Sequence, residues 1–348
     1  MANKRIRVAA SDSGPWYTLP GNQGERSAEL AGVDDTIFGQ GYESNNPNLG
    51  QWMITANGLF KGVAGYNVVL KKTGTSTAMT DEAMSLVSGK TYRITNAAHR
   101  VIDPEVAVVV EDGGTPVDAE DILNIDYVGG TVTFVGGYTV GGSVTIATGN
   151  YLPTGAFGCS RSFTLTQSTA EIDSTCYEFA QANEGMRRFE GGLKTVSLEV
   201  GGIYQAATDW YEIMKARNPL TIEIDLDASN TGKTVARGIF RVSSEGQSGN
   251  QGNVEESTQQ FTLYVPDGDL VLQPFGWYFN TTPLNAGIKL VLDSWQNSTT
   301  IFVQYLPDGE DGYTGEAIVT EASLANQIEG QNEFTFSFRG IGDLEVVV

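Results

Sequence analysis

Apolar residues alternate with variable ones in two stretches of the chain that share one template. The first stretch runs from Leu49 to Phe60 and the second from Leu193 to Tyr204, and each ends on Gly, an aliphatic residue and an aromatic residue. A period of two predicts a β-strand with one buried face. The pattern therefore predicts that at least one strand of the protein is present twice.

A second pair of similar segments follows, at residues 218–265 and 297–338. Each is predicted to contain a short strand, a Gly/Asp-rich turn, a strand that starts at Gly with Val four residues later, and a Phe-Thr-apolar strand. The matching residues are Thr221–Ile224 and Thr300–Val303, Gly238/Val242 and Gly315/Val319, and Phe261 and Phe334. Duplication on this scale predicts a protein that builds rings or arrays, because a doubled module offers two equivalent bonding surfaces per chain.

Two short helices are predicted by apolar residues that recur at i, i+3, i+4 and i+7. These residues are Ala207, Trp210, Tyr211 and Met214 in one segment, and Ile288, Val291, Leu292 and Trp295 in the other. This spacing gives each helix a single apolar stripe. We expect both stripes to pack against a sheet.

The order of these elements predicts a nested domain organisation. Residues 1–66 together with 281–348 form a first, discontinuous lobe, and residues 67–150 form a small inserted β-module with hairpin turn signals. Residues 151–270 form the second lobe and residues 271–280 a linker. A sequential arrangement, in which the last segment stands alone, is the alternative.

Composition supports strands over long helices. The 348 residues include 42 Gly and much Thr and Val, which is typical of short strands joined by tight turns and predicts an all-β dominated class. The net charge of −21, from 42 acidic and 21 basic residues, argues against sequence-independent nucleic-acid binding, because affinity for phosphate backbones comes mostly from Lys and Arg. Composition alone does not distinguish an ordinary acidic protein from one with a functional acidic surface.

Cysteine spacing and hydropathy bound the cellular setting. Cys159 and Cys176 lie 17 residues apart, without the paired spacing of a zinc site. The N-terminal sequence lacks the apolar core of a signal peptide, and no run of about 18 apolar residues predicts a membrane span. We expect synthesis in a reducing cytoplasm and no membrane insertion.

Candidate catalytic and ligand-binding residues are few. His99 is the single histidine, and the chain has no Gly-x-Ser-x-Gly elbow to accompany it. Gly232-Lys233-Thr234 resembles the end of a phosphate-binding loop, but Asp227 occupies the position of its first glycine and would repel phosphate.

Two acidic segments resemble metal loops only in part. The segment from Asp225 has the opening rhythm of a calcium loop, but Asn230 and Ala236 replace the required Gly and Glu. The segment Asp308–Gly312 is interpreted as a charged turn. We therefore predict no catalytic, cofactor-binding or metal-binding residues and no enzyme activity, although paired carboxylates for glycoside chemistry stay open.

Three passages carry a resemblance to a known family. They are Ser168–Thr175 with Arg187–Lys194 and the strand 196–200, Tyr92–Asn96 with Arg100–Pro104 and Asp126–Phe134, and Tyr305–Gly309 with Tyr313–Ala317. In this order they resemble the major tail tube proteins of long, non-contractile-tailed bacteriophages (siphophages). The resemblance extends over most of residues 160–348 and the middle module.

The resemblance implies β-sandwich lobes with one flanking short helix each, six of which close a ring, and rings that stack head-to-tail into a hollow tube. A chain with two tube-like lobes then implies a trimer with pseudo-sixfold symmetry, with a hexamer as the alternative. Implied partners are the tape measure protein and the tail terminator and distal tail proteins, and the implied location is the virion. Genomic DNA would pass through the tube without specific binding.

Two further expectations follow from the resemblance. The polar segments Arg26–Asn48 and Gln167–Gly191 are too long for hairpin loops and are interpreted as arms that order against an adjacent ring. An acidic lumen would repel DNA phosphates, and Met53–Asn57 and Thr195–Val200 are predicted wall segments. A phage tail or adhesin protein that binds or cleaves carbohydrate is the alternative function.

Overall fold

A computed structural model describes residues 4–34, 45–64, 68–204, 210–226, 235–249, 254–265, 273–278 and 285–347. Strands in large antiparallel sheets dominate the fold, and the helices of the described ranges are short. The predicted all-β dominated class is confirmed.

Strands follow one another along most of the chain. The first twelve strands are β1 Arg5–Ala9, β2 Tyr17–Thr18, β3 Gly21–Asp34, β4 Asn45–Ala64, β5 Val69–Thr73, β6 Thr77–Ser88, β7 Thr91–Ile94, β8 Val109–Asp112, β9 Thr115–Pro116, β10 Ile122–Asp126, β11 Thr131–Phe134 and β12 Val144–Tyr151. They are followed by β13 Thr154–Ala156, β14 Ser160–Asp173, α1 Tyr177–Ala182, β15 Phe189–Ile203, α2 Trp210–Ala216, β16 Leu220–Asp225, β17 Val235–Ser248 and β18 Glu256–Leu263. The last elements are β19 Phe275–Tyr278, α3 Ala286–Asn297, β20 Ile301–Leu306, β21 Gly312–Gln327, β22 Gln331–Gly340 and β23 Glu345–Val347.

The chain divides into two compact units. Unit 1 consists of Met1–Gly65, Thr164–Val196 and Thr281–Val348, and unit 2 consists of Tyr66–Phe163 and Ser197–Asn280. The chain passes from one unit to the other inside β14 and inside β15. Within the segment 271–280, for which the sequence predicts a linker, β19 is a strand that pairs with β17.

Two sets of strands follow the same path. Set one, called repeat 1, has the hydrogen-bonded order β2-β1-β20-β21-β22-β4-β3, with β23 also paired to β21. Set two, called repeat 2, has the order β13-β5-β16-β17-β18-β15-β14, with β19 also paired to β17. The corresponding strands also occur in the same chain order, and α3 and α2 occupy corresponding places after β4 and β15. The duplication predicted from the sequence is therefore a duplication of sheet topology.

An irregularity in strand pairing is repeated at the same position. In repeat 2 the register shifts after the pair Val242–Phe261, and in repeat 1 it shifts after the pair Val319–Phe338. In each case the extra residue donates its hydroxyl to the partner strand: Ser243 Oγ to Gln260 O at 3.0 Å, and Thr320 Oγ1 to Ser337 O at 3.2 Å. Such β-bulges are specific features of a fold, so their repetition supports a common origin for the two sets.

This register corrects one detail of the sequence alignment. Phe261 corresponds to Phe338, because both residues pair with the valine that precedes the bulge. The match of Phe261 with Phe334 is wrong by four residues. Alternating phenylalanines at 334, 336 and 338 made the shifted alignment look equally good.

The core of repeat 1 is built around Trp52. Its Nε1 donates to Gly342 O at 2.8 Å, and its ring lies against Gly315 and Gly340. A Cβ on Gly340 would lie 2.0 Å from Trp52 Cε2, so only glycine allows this approach. Helix α3 packs against β21 and β1, and the predicted stripe of Ile288, Val291, Leu292 and Trp295 is confirmed as buried.

Helix α2 differs from the sequence pattern. Trp210 is buried at its start and stacks on Phe157, but Tyr211 is 53% exposed, and Ala207 lies outside the described residues. The predicted stripe is therefore only partly confirmed. Within the described residues α2 extends from Trp210 to Ala216, so the stripe can be compared only at Trp210, Tyr211 and Met214.

The two polar arms contain long strands. Segment 26–48 continues β3 to Asp34 and resumes as β4 at Asn45, and the residues between them lie outside the described ranges. Segment 167–191 continues β14 to Asp173, forms α1 and resumes as β15 at Phe189. The described residues of both segments thus extend the strands of two hairpins. That these segments order against an adjacent ring stays a prediction.

The small sheet in unit 2 has the strand order β10-β11-β7-β6-β12-β8-β9. Its turn after β10 is fixed by Asp126, whose Oδ1 accepts from Val128 N at 3.1 Å and Gly129 N at 2.8 Å. Tyr278 Oη donates to the same carboxylate at 2.8 Å. Burial raises the pKa of Asp126, although these three donors favour the ionised form.

Replacing Tyr278 by Phe should lower the free energy of unfolding by about 1–3 kcal/mol, because the buried Asp126 carboxylate loses a donor without gaining water. Tyr138→Phe is the matched control: Tyr138 donates to Asp112 at 3.1 Å, but both residues are only half-buried, so water can replace the lost hydroxyl. Chemical denaturation of both variants measures the difference. Equal losses in the two variants would contradict the role assigned to Tyr278.

Candidate assembly surfaces

Each repeat has one apolar sheet face and one polar sheet face. In β15, Val196, Leu198 and Val200 are buried while Thr195, Ser197 and Glu199 are exposed. In β4, Trp52, Ile54 and Ala56 are buried while Met53, Thr55 and Asn57 are half-buried. The two segments predicted as wall segments thus present corresponding rows, on the faces opposite the two cores.

The polar face continues across neighbouring strands. In repeat 1, Thr55 pairs with Glu25 on one side and with Ser337 on the other, and Ser337 pairs with Glu321. In repeat 2, Glu199 pairs with Gln260, which pairs with Ser244. Gln260 Nε2 donates to Glu199 at 3.1 Å, and Ser244 Oγ donates to Gln260 at 3.0 Å. Small hydroxyl, amide and carboxylate groups therefore cover both faces.

Most charged groups of these rows are carboxylates. Glu25, Glu321 and Glu333 lie on the polar face of repeat 1, and Glu199 and Glu256 on that of repeat 2. Arg339 continues the first face, but its charge is compensated by Glu171 at 2.7 Å. On repeat 2, Arg241 pairs with Thr262 and its guanidinium stacks on the ring of Tyr264. Carboxylates therefore outnumber guanidinium groups on the described part of each face.

Within unit 1, the hairpin of β14, α1 and β15 docks on strands of repeat 1. Strand β14 lies beside β21 in the sheet, and the buried Gln167 donates through Nε2 to Ala322 O at 3.1 Å. Glu171 binds Arg339, whose guanidinium lies 4.9 Å from the ring centroid of Phe189. The contact thus combines strand pairing, a buried amide and an ion pair.

The turn beyond α1 adds three backbone hydrogen bonds to this contact. Gly50 N donates to Gly185 O at 2.8 Å, and Arg187 N donates to Gly50 O at 2.9 Å. Gly342 N donates to Arg187 O at 3.1 Å. Hydrogen bonds to repeat 1 therefore fix the hairpin both at Gln167 and at the turn beyond α1.

The corresponding edge of repeat 2 is open in the described residues. In β21, residues 318–325 lie beyond the end of β20 and are the part available to β14, and they are buried or half-buried. In β17, residues 241–248 lie beyond the end of β16 and pair only with β18 among the described strands. Five of those eight residues are exposed. Strand β3 likewise has β4 as its single described strand partner.

The other residues considered in the sequence have ordinary surroundings. His99 Nδ1 lies 2.8 Å from Glu82, and the imidazole stacks on Tyr151 at 3.9 Å. Asp308 accepts from Glu310 N at 3.0 Å and Asp311 N at 2.8 Å, and these bonds lower its pKa, as in a charged turn. Cys159 and Cys176 are exposed and unpaired. Asp227, Asn230 and Gly232–Thr234 lie outside the described residues.

Ligand-binding features are sparse in the described ranges. These ranges contain no group of three or more His, Cys, Asp or Glu side chains placed to hold a metal ion. No helix within them is long and apolar enough to cross a membrane. The cavity of about 310 Å³ in unit 2 is lined by Ser76, Asp103, Pro104, Glu105, Leu152, Asn218, Pro219, Leu220, Thr221 and Ile239. None of these lining residues is aromatic, so the cavity offers no ring face on which a sugar could stack.

The fold and its surfaces define an all-β protein made of two copies of one repeat. No protein-family model matches the chain, and no curated protein matches it. Among solved structures, it is similar to a chain of the virion of a native gene transfer agent particle, at 14% identity over 32% of this chain and 85% of that chain, with a TM-score of 0.28. It is also similar to a chain of the tail of an empty gene transfer agent particle with C6 symmetry, at 12% identity over 37% of this chain and 87% of that chain, with a TM-score of 0.27.

Proposed function

We propose that this protein is a structural subunit of a phage-like tail, whose chains close into rings that stack head-to-tail into a hollow tube for genomic DNA. The duplicated strand path with its repeated β-bulge carries the proposal. A chain with two equivalent sheets can bond to its neighbours through equivalent surfaces at regular angles. With six lobes per ring, as in the tail tube family, three chains suffice and the ring has pseudo-sixfold symmetry; six chains per ring are the alternative.

Open strand edges support an assembled state. Unpaired backbone groups on the described edges of β3 and of β17 residues 241–248 invite pairing with another chain. A closed ring removes such edges, because each sheet then continues into the next. Self-association therefore satisfies groups that the described part of a single chain leaves to water.

The polar faces supply a wall suited to DNA passage. We assign the faces that contain Glu25, Glu321, Glu333, Glu199 and Glu256 to the lumen. Carboxylates repel the phosphates of DNA. Hydroxyl-bearing side chains carry no positive charge, so they cannot displace the counterions of DNA and gain affinity in that way. DNA in such a channel moves without adhering to the wall.

The remaining assignments extend this proposal. The two lobes follow the predicted division into residues 1–66 with 281–348 and residues 151–270, with two changes. Strand β5, inside the predicted module 67–150, and strand β19, inside the predicted linker 271–280, pair within repeat 2 and are assigned to the second lobe. The inserted module then begins at β6. Tape measure protein would occupy the lumen before DNA passage, and tail terminator and distal tail proteins would bind the tube ends. The protein acts in the virion and has no enzymatic role in this scheme.

Electron microscopy of the purified protein tests the assembly. We expect rings and hollow tubes, and light scattering of isolated rings should give a mass of three chains. Stable monomers that bind glycans would favour an adhesin, and glycan cleavage would favour a tail enzyme. Either outcome contradicts the proposal.

The lumen assignment makes a separate prediction. Glu199→Lys combined with Glu256→Lys should make tubes retain a short DNA duplex at low salt. The logarithm of the binding constant should fall with the logarithm of the salt concentration, with a slope of about −0.9 per neutralised phosphate. Asp118→Lys with Glu120→Lys, at exposed positions of the small sheet's connecting segment, adds the same charge elsewhere. Co-sedimentation of DNA with tubes compares the two. Equal retention by both variants would contradict the assignment of the polar face to the lumen.

A further inference from the structure

The 164–196 hairpin pairs with repeat 1 through β14 and β21, and repeat 2 contains an edge that corresponds to that of β21. This step rests on the proposed function and concerns the partner of one defined edge. We infer that β3 of one copy pairs with residues 241–248 of β17 in a second copy, as β14 pairs with β21 inside one chain. The partner is therefore a second copy of this chain.

The donor strands correspond residue by residue. Ala28 pairs with Trp52 in the β3–β4 hairpin. Ser168 Oγ and Thr195 Oγ1 lie 2.7 Å apart, so Gln167 lies opposite Val196 in the β14–β15 hairpin. Trp52 and Val196 are both the fourth residue of the duplicated template. Ala28 is therefore the counterpart of Gln167, the residue that bonds to β21.

The acceptor strands correspond in the same way. Ala322, whose carbonyl accepts from Gln167, lies three residues after Val319, the residue that precedes the bulge. Glu245 lies three residues after Val242 at the repeated bulge. In both strands the residues that follow the bulge lie beyond the end of the preceding strand of the hairpin, which is β20 for β21 and β16 for β17. Among the described strands, the corresponding edge is thus paired in repeat 1 and unpaired in repeat 2.

The side chains beside the paired edge are apolar, whereas those at the corresponding positions of the unpaired edge are polar. Ala322, Leu324 and Phe336 are at most 1% exposed beside the filled edge. At the open edge, the counterparts of Ala322 and Phe336 are Glu245 and Gln259, which are register partners. Glu245 Oε2 and Gln259 Nε2 are buried atoms that have no hydrogen-bond partner among the described residues. A strand that pairs at this edge can supply those partners, whereas an apolar strand cannot.

Cross-linking tests this pairing in the full chain. In a Cys159→Ser, Cys176→Ser background, Ala28→Cys with Glu245→Cys should give covalent dimers and trimers with a short bismaleimide, and nothing larger than a closed ring. Mixing the two single-cysteine chains should give a cross-linked dimer. Glu171→Cys with Arg339→Cys, at a contact inside unit 1, should cross-link within one chain and give no ladder.

The outcomes separate the inference from the proposed function. Rings or tubes in the microscope without cross-linking between positions 28 and 245 would overturn the pairing and leave the tube proposal intact. Absence of rings in the parent protein would overturn both. The matched control is Ala28→Cys with Glu120→Cys, because position 120 is exposed in the small module. If this pair gave as many cross-linked oligomers as the pair 28 and 245, the cross-links would reflect random collision and the proposed pairing would be overturned.

Discussion

Glu223→Ala is expected to lower the free energy of unfolding by about 3–5 kcal/mol, because it leaves two cations without their counter-charge. Glu223 binds Arg237 at 2.6 Å and Lys71 at 2.7 Å across β16, β17 and β5. The Glu223 side chain is 5% exposed and that of Arg237 is 17% exposed, whereas that of Lys71 is 30% exposed and regains water. We therefore expect a value near the lower end of that range in urea denaturation.

A control separates burial from charge. Glu256→Ala removes an exposed carboxylate from β18 of the same repeat and should change stability by no more than about 0.5 kcal/mol. Arg237 also donates to Val128 O at 3.3 Å. A guanidinium that is no longer held by Glu223 would therefore also weaken its contact with the turn of the small sheet. A loss at Glu223 no larger than that at Glu256 would contradict the structural role of the cluster.

The same cluster sets the pH dependence. Burial by itself raises the pKa of Glu223, but the charges of Arg237 and Lys71 outweigh it and hold the pKa below its ordinary value. Its stabilising contribution is therefore present above about pH 4.3, the unfolded pKa, and disappears as pH falls through the folded pKa. Asp126 acts in the opposite direction, since its raised pKa removes stability as pH rises from about 3.9. Glu223→Ala should flatten the acid limb, and Asp126→Asn should steepen it.

Trp52→Ala is expected to cost about 3–5 kcal/mol, because it empties the centre of repeat 1 and removes the bond to Gly342 O. The glycines around the ring permit a sharper test. Gly340→Ala alone should destabilise by about 1–3 kcal/mol, since its Cβ would meet the indole at 2.0 Å. In the Trp52→Ala background the same methyl group enters the vacated space and should be neutral or stabilising.

A double-mutant cycle in urea measures this change of sign. The interaction energy between positions 52 and 340 should be of the order of 1–3 kcal/mol, as for residues in direct contact. Additive effects would show that position 340 requires glycine for a reason other than its contact with the Trp52 ring. Val196→Ala, at the counterpart of Trp52 in repeat 2, gives the cost of a smaller cavity for comparison.

Local patterns predicted the elements well where one face is buried. Alternation located β4 and β15, and the i, i+3, i+4, i+7 spacing located α3, because burial of one face leaves a period in the sequence. Helix α1 left no such signal, since none of its residues is buried. The strands within the polar arms gave little signal because most of their described residues are exposed.

Long-range features needed the structure. The pairing of β14 with β21 joins segments more than 130 residues apart, and a backbone edge carries no side-chain period that announces its partner. The Lys71–Glu223–Arg237 cluster likewise combines three strands that are separated in sequence. The rows of the polar face were visible as alternation, but their continuation across strands depends on register, which one residue of slip would reverse.

Covalent linkage of the two repeats also limits assembly errors. A ring made from such chains contains an even number of lobes, so closure with one lobe too many or too few is impossible for intact chains. The nearest faulty rings differ from six lobes by two, which changes the circumference by a third. In the proposed tube, an error of that size would strain every junction, so fusion of the repeats would help to fix the diameter of the bore.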